Sequence, residues 1–330
     1  MVAGVFHGAM TATGTARLWF FFDVGDRIRF EELPWPEAGG MNPATESFPE
    51  GNSRLLYYEC GVIAVEYHWP VSLEWPELVN RCAEWIGSHG REAEARLLML
   101  EGLEKIKAAL DRPYPEHLSE EYFVLQLEAE PAAALLAEHG SQIACILRGE
   151  SQPLASGETQ EALKASISYF PDDLVVAGWA GAFVSGLKET PIDLLSYANV
   201  QLLEFRHYDT QLTEVLYEAY KDVPRWERWR LRGKAEELNG LLIDIRESTE
   251  RMDNAVKFLS DTYAARLYRL AAQRIGVDDY RRITESKFTT AREVNQLRID
   301  QFHHTRAFIL EFMVVVILLI ELYYLLRGKS

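Results

Sequence analysis

The chain has 330 residues, of which 48% are apolar, and it carries a formal net charge of -16 at pH 7. This apolar content excludes a disordered chain, because enough surface can be buried to offset the lost conformational entropy. The acidic balance excludes a general nucleic-acid-binding protein, because most of the surface would repel phosphate.

Three cysteines, Cys60, Cys82 and Cys145, lie far apart in the chain. An odd number without a CxxC pattern is typical of a reducing compartment, and of neither a disulfide framework nor a zinc site. Residues 1–16 lack the basic and apolar regions of a signal peptide. We therefore expect the globular part to stay in the cytoplasm and the cysteines to be small core residues.

Residues 1–190 predict a mixed α/β domain of the α+β class, because β-rich runs alternate with helical patterns. The predicted strands are residues 17–22, 55–59, 62–67, 122–127 and 143–147. The predicted helices are residues 76–86 and 92–110. Residues 34–53 are rich in Pro, Gly, Ser and Glu, which predicts a surface loop.

Residues 167–184 predict two or three short strands around a turn that begins at Pro171. Asp172 and Asp173 follow in this turn. Two adjacent carboxylates could bind a divalent cation, so an enzyme that uses such an ion is one hypothesis. The commoner role of this pair is in the turn itself, and the sequence offers no evident further ligands.

A helical region is predicted for residues 191–306. Its first helix covers residues 192–222, and Val223 followed by Pro224 ends it. A cluster of arginines and tryptophans comes next: Arg225, Trp226, Arg228, Trp229 and Arg230. This cluster could contact anionic lipid or RNA. The alternative is a solvated helix start with the tryptophans packed inward.

Apolar residues then recur at the a and d positions of five heptads, which is the pattern of a coiled-coil seam. The seam residues are Leu231, Leu238, Leu242, Ile245, Met252, Val256 and Leu259. Gly276 and Asp279 are typical of a helix end and a helix start, so a turn is predicted near 276–279. We therefore expect a long antiparallel coiled-coil hairpin whose second helix continues without a breaker.

Residues 307–330 predict a C-terminal transmembrane anchor. The 19 residues from 308 to 326 would span about 28 Å as a helix, close to the thickness of a bilayer's hydrocarbon core. The two charges of this run lie toward its ends, and aromatic and basic residues flank it. The predicted anchor residues are Phe308, Glu311, Glu321, Tyr323, Tyr324 and Arg327. A buried core helix is the alternative.

Motifs that carry catalysis or bind cofactors are absent from the sequence, among them G-x-S-x-G, the Walker loop, G-x-G-x-x-G after a strand and H-E-x-x-H. His303 and His304 are adjacent, so on a helix they point to different faces and form a poor metal-binding pair. We predict a protein that is not an enzyme and that uses neither a cofactor nor a metal.

The sequence LEFMVVVILLIE at 310–321 resembles the closing signature of the "required for meiotic nuclear division" family, with both glutamates at that family's spacing. GVIAV at 61–65 is similar to the family's Gly-Val-Val-Val-Phe strand, and the helix around Leu202 resembles its central helical region. The resemblance implies a membrane-anchored, non-enzymatic, oligomeric protein. RHYDTQL at 206–212 departs from the mitochondrial pattern, which suggests a bacterial branch.

These features favour a scaffold or tether that self-associates through its coiled coil and its membrane helix. Its expected partners are the lipid bilayer, further copies of the chain and a protein that the sequence does not identify. We expect a single-pass protein of the inner (cytoplasmic) membrane, or of the mitochondrial inner membrane in a eukaryote, with most of the chain in the cytoplasm. The alternative is an oligomeric channel in which Glu311 or Glu321 lines a pore.

Overall fold

A computed structural model provides the fold. It describes residues 11–33, 41, 43–48, 52–87, 90–220, 238–240, 242–243, 245–247, 249–250, 254 and 262–327. Within these ranges the side chains of residues 218–220, 297–310 and 321–327 are not described. The chain divides into a sheet unit, Met1–His207 with Arg251–Arg281, and a helical unit, Tyr208–Glu250 with Arg282–Ser330.

Strands and helices alternate through the sheet unit, which confirms the predicted mixed α/β class. The strands are β1 (Thr11–Asp23), β2 (Gly25–Ile28), β3 (Ala44–Ser47), β4 (Ser53–Tyr58), β5 (Val62–Glu74), β6 (Leu110–Pro113), β7 (Ser119–Leu127), β8 (Ser166–Ile167), β9 (Leu174–Ala177) and β10 (Gly181–Ser185). The helices are α1 (Trp75–Ile86), α2 (Arg91–Ile106), α3 (Ala132–Arg148), α4 (Ser156–Leu163), α5 (Thr190–Tyr220), α6 (Thr262–Ile275) and α7 (Val277–Arg327).

The described strands form an eight-stranded sheet in the order β3-β4-β5-β1-β7-β10-β9-β8, and β2 pairs with β6 separately. In the large sheet, β1 pairs with β5 along its whole length, from Thr11 opposite Glu74 to Asp23 opposite Val62. The contact of β7 with β10 is parallel, and the other pairings are antiparallel. Gly61 closes the turn between β4 and β5 at φ +86°, a conformation that glycine adopts without strain.

β1 is central to the fold because both of its faces are covered. Its apolar run does not alternate with polar residues, which is typical of a strand buried on both sides. Leu18, Phe20 and Phe22 join the main core together with side chains of α1, α2 and α3. Trp19 lies on the other face, where its ring stacks on Tyr122 at 6.4 Å between centroids.

That second face holds a buried ionic network centred on Glu66, which is 1% exposed. Arg54 donates two hydrogen bonds to the Glu66 carboxylate, at 2.9 and 3.0 Å, and Trp19 Nε1 donates a third at 2.7 Å. Arg17 Nη1 donates to Gln126 Oε1 at 2.6 Å. Each charge therefore has partners that offset its loss of solvation.

Two predictions about the sheet unit are wrong. Residues 143–147, predicted as a strand, lie in α3, where Ile143 and Ile146 are buried. A short apolar run cannot by itself distinguish a buried strand from a buried helix, and here it continues a longer helical pattern. The predicted surface loop at 34–53 is wrong at Ala44–Ser47, which form β3 and pair with β4. Residues 34–40, 42 and 49–51 of that prediction lie outside the described residues.

The helical unit includes the end of α5, the described residues between 238 and 250, and most of α7. The Lys287 ammonium on α7 lies 2.5 Å from Asp209 Oδ1 and donates to Thr213 Oγ1 at 2.6 Å, both on α5. Leu212 and Ala291 are fully buried. In the sheet unit, α6 ends at Ile275 and is followed by Gly276, whose φ of +98° suits the left-handed residue that often follows a helix.

Candidate functional site

A stretch of α7 exposes apolar side chains to solvent. All ten side chains from 311 to 320 are exposed. The nine apolar ones, residues 312–320, are called the apolar segment below, and their exposed fractions run from 36% at Val316 to 61% at Phe312. Soluble monomers rarely expose contiguous apolar surface of this kind. The exposed segment is therefore a candidate surface for contact with lipid or with protein.

The residues predicted to form the anchor all lie in α7: Phe308, Glu311, Glu321, Tyr323, Tyr324 and Arg327. Of these, the Glu311 side chain is described, and it is exposed. The other five side chains lie outside those described. Within the described part of the chain, no helix is both long enough and apolar enough to cross a membrane. The transmembrane anchor stays a prediction from the sequence.

The predicted coiled-coil seam is described in part. Leu238, Leu242 and Ile245 are helical and only 3%, 6% and 3% exposed within one chain. The other seam residues lie outside the described residues: Leu231, Met252, Val256 and Leu259. The basic cluster also lies outside them: Arg225, Trp226, Arg228, Trp229 and Arg230. The described part of the seam is thus already covered by the chain itself.

Sequence reasoning missed a cluster of titratable groups in the sheet unit around Asp23, the last residue of β1. Asp23 is 0% exposed, and His207 Nδ1 on α5 lies 2.5 Å from its Oδ2. The Tyr114 ring stacks on the His207 imidazole at 4.0 Å between centroids, and the Tyr114 hydroxyl donates to Asp26 Oδ1 at 2.6 Å. His117 Nδ1 lies 3.0 Å from the backbone carbonyl of Asp23.

Burial dominates the electrostatics of this Asp23 cluster. Loss of solvation raises the pKa of the Asp23 carboxyl, and the hydrogen bond and charge of His207 offset part of that rise. Burial, together with the nearby acids Glu204 and Asp23, raises the pKa of the Tyr114 hydroxyl. The pKa of the Cys60 thiol is raised by burial and by Glu204. Burial therefore disfavours the charged form of each of these groups relative to the same group in water.

The chemistry open to the Asp23 cluster is limited by access. A carboxylate that orients an imidazole is the arrangement of a general base, but the side chains of His207 and Asp23 are only 12% and 1% exposed. A substrate would have little room beside them. The pair instead joins α5 to the end of β1. Among the described residues, no group of three or more His, Cys, Asp or Glu side chains could hold a metal ion.

The chain shows limited sequence similarity to known proteins. A family model described as "Uncharacterized protein MJ0711, N-terminal domain" matches residues 44–190. The chain is 21% identical over 195 residues to the uncharacterised protein MJ0711 of Methanocaldococcus jannaschii, across 57% of this chain and 60% of the relative. It thus aligns with less than two thirds of that relative's length. No solved structure matches the chain.

The matched region begins at β3 and ends at the first residue of α5. It therefore holds most of the large sheet and α1 to α4, and it excludes the apolar segment. The name of this relative indicates no activity. The resemblance to the "required for meiotic nuclear division" family stays a prediction.

Proposed function

We propose that the protein is a membrane-anchored, non-enzymatic scaffold, held to the bilayer by residues 308–326 of α7. The observation that carries this proposal is the exposure of the apolar segment: nine consecutive apolar side chains stand in solvent on a helix. The resemblance of residues 310–321 to a family of membrane-anchored proteins supports it further. The proposed location is the inner (cytoplasmic) membrane.

The energetics support insertion of this stretch into lipid. Apolar residues contribute roughly -0.3 to -0.6 kcal/mol each to insertion near the centre of a membrane helix, so the apolar segment contributes about 3–5 kcal/mol. Glu311 and Glu321 bracket the segment, and charges near the ends of a span can reach the interface. The sequence run of 19 residues matches the thickness of the hydrocarbon core.

Self-association is the second part of the proposal. The buried seam residues Leu238, Leu242 and Ile245 offer little surface to a second copy. Contact between copies would therefore use the apolar segment within the bilayer, where close packing of side chains associates helices. The protein that the scaffold binds is not identified by any feature of the described residues.

A vesicle flotation experiment tests the anchor. Full-length protein is mixed with vesicles of phosphatidylethanolamine and phosphatidylglycerol, and a variant carries Val315→Lys and Ile317→Lys. Two lysines at the centre of a span cost about 5–7 kcal/mol, which exceeds the gain from the segment. We expect wild-type protein to float with the vesicles and the variant to stay at the bottom of the gradient.

The matched control carries Ser286→Lys and Thr289→Lys, which add the same charge at two exposed positions of α7. We expect it to float like the wild type, since these positions lie outside the apolar segment. Equal flotation of all three proteins would exclude the apolar segment as the anchor. Circular dichroism of each variant checks that α-helix content is unchanged.

A further inference from the structure

A cavity of about 610 Å³ lies in the sheet unit. It is lined by the turn between β8 and β9, by the connection from β10 to α5, and by Tyr263 in the first turn of α6. Small-molecule sites in proteins have volumes of roughly 300–1,000 Å³. The cavity is therefore large enough for a small organic ligand. None of its lining residues belongs to the proposed anchor.

Aromatic rings form one wall of the cavity. The centroid of the Tyr169 ring lies 4.7 Å from that of the Phe170 ring, and the two ring planes are nearly perpendicular. The centroid of the Tyr263 ring lies 5.2 Å from that of Tyr169. Tyr169 is 61% exposed and Phe170 47%. Rings of this size normally bury most of their surface. Their exposure beside a cavity leaves apolar ring surface that a ligand can cover.

One ring of this wall already binds an ammonium group of the chain. Lys188 Nζ lies 4.9 Å from the centroid of the Phe170 ring, within the distance of a cation–π interaction. The negative face of an aromatic ring attracts any cation in the same way. The wall is therefore chemically suited to a positively charged group.

The charges around the cavity also favour a cationic ligand. Among the described residues, its lining includes two carboxylates, Asp172 and Asp173, and one cation, Lys188, so the described lining carries a net negative charge. Asp173 Oδ1 accepts a hydrogen bond from the Tyr169 backbone N–H at 2.6 Å. This contact stabilises the turn that carries Tyr169 and Phe170. A ligand cation would be attracted both by the carboxylates and by the ring faces.

Other ligand classes fit less well. An anion would be repelled by two described carboxylates and attracted by one described lysine, and a neutral apolar molecule would gain no attraction from the carboxylates. We propose that this cavity binds a small organic cation with an apolar body, such as a quaternary ammonium compound, through the rings of Tyr169, Phe170 and Tyr263 and the carboxylate of Asp172.

The test compares choline with 3,3-dimethylbutan-1-ol, which has the same shape but no charge. Binding of each probe to full-length protein in detergent micelles is measured by calorimetry. Because a cation–π contact distinguishes the two probes, we expect choline to bind about tenfold more tightly than the neutral alcohol. Equal binding of the two probes, or no binding of choline at millimolar concentration, would overturn the proposal.

Variants locate the site. Tyr169→Leu and Tyr263→Leu keep an apolar side chain but remove the ring face, so each should weaken choline binding about fivefold or more while binding of the alcohol changes little. Tyr169→Phe keeps the ring face and should bind choline like the wild type. Asp172→Asn should weaken binding of choline and leave that of the alcohol unchanged.

The matched control is Trp179→Leu, because Trp179 is 70% exposed but does not line the cavity. It should bind choline as tightly as the wild type does. If Tyr169→Leu and Tyr263→Leu also bind choline like the wild type, the site lies elsewhere and the assignment is wrong. Tyr169 is mostly exposed, so its substitution should leave folding intact, and circular dichroism verifies this.

Discussion

Two stretches of this chain are equally apolar and have opposite surroundings. In β1, the side chains from Leu18 to Phe22 are at most 2% exposed. In α7, the side chains of the apolar segment are 36–61% exposed. The difference lies in their neighbours, since β5 and β7 flank β1 and the helices α1 to α3 pack against one of its faces. Apolar composition therefore indicates that a stretch is to be shielded from water. It does not indicate whether the rest of the chain, lipid or another protein shields it.

The largest expected effect separates these two stretches directly. Phe20→Ala should lower the free energy of unfolding by about 3–5 kcal/mol, because it leaves a cavity in a packed core. Ile317→Ala, in the apolar segment, should change it by no more than about 0.5 kcal/mol in detergent. Urea unfolding followed by tryptophan fluorescence measures both. A similar loss in the two variants would show that Ile317 is packed against the protein.

A second prediction concerns the polar groups that are buried beside β1. Glu66→Gln should cost about 2–3 kcal/mol, because Arg54 and Trp19 lose a charged acceptor in a site that is 1% exposed. The control is Glu84→Gln, which removes an exposed pair with Arg81 and should cost less than about 0.5 kcal/mol. Urea midpoints compare them. Equal midpoints would mean that the Glu66 network contributes nothing.

The third prediction uses the raised pKa of Asp23. Between about pH 4 and that raised pKa, the folded protein holds a proton that the unfolded chain has released, so stability falls as the pH rises. The slope is at most about 1.4 kcal/mol per pH unit. Asp23→Asn should remove this fall, which urea midpoints at several pH values would detect. An unchanged slope would show that Asp23 ionises alike in both states.

The smallest effect is expected in the helical unit. Arg246 Nε lies 3.1 Å from Glu250 Oε1, and both side chains are largely exposed, at 72% and 65%. Arg246→Ala should therefore change the free energy of unfolding by only about 0.3–0.5 kcal/mol, and less at high salt. Urea unfolding at low and high salt measures this change. A loss above 1 kcal/mol would indicate that the pair is shielded from solvent.

Much of the sheet unit could be predicted from the sequence. The runs around Phe20 and Val65 have the composition of strands, and the helix over 192–222 closely matches α5, because β-branched and aromatic runs and 3.6-residue periodicity are local signals. The error at 143–147 has a local cause too, since five apolar residues fit either structure. The order in which the strands pair has no such local signal in the sequence.

The candidate sites depend on contacts between residues far apart in the chain, which no local sequence pattern predicts. Asp172 and Asp173 stood out as a turn, yet their association with Tyr263 and Lys188 follows from the placement of α6 and of the β10–α5 connection. His207 and Asp23 were unremarkable in their separate segments. The apolar segment is the opposite case, because its composition alone identified it as a candidate site without any knowledge of tertiary contacts.

The sequence by itself determined where the apolar stretches lie and which form strands or helices, because these properties depend on neighbours along the chain. Only the tertiary structure decided which stretches are covered, and which distant side chains meet in the Asp23 cluster and in the aromatic cavity. The physical reason is that burial and charge pairing are set by the register of the sheet and the packing of helices on it, and these involve residues far apart in the chain.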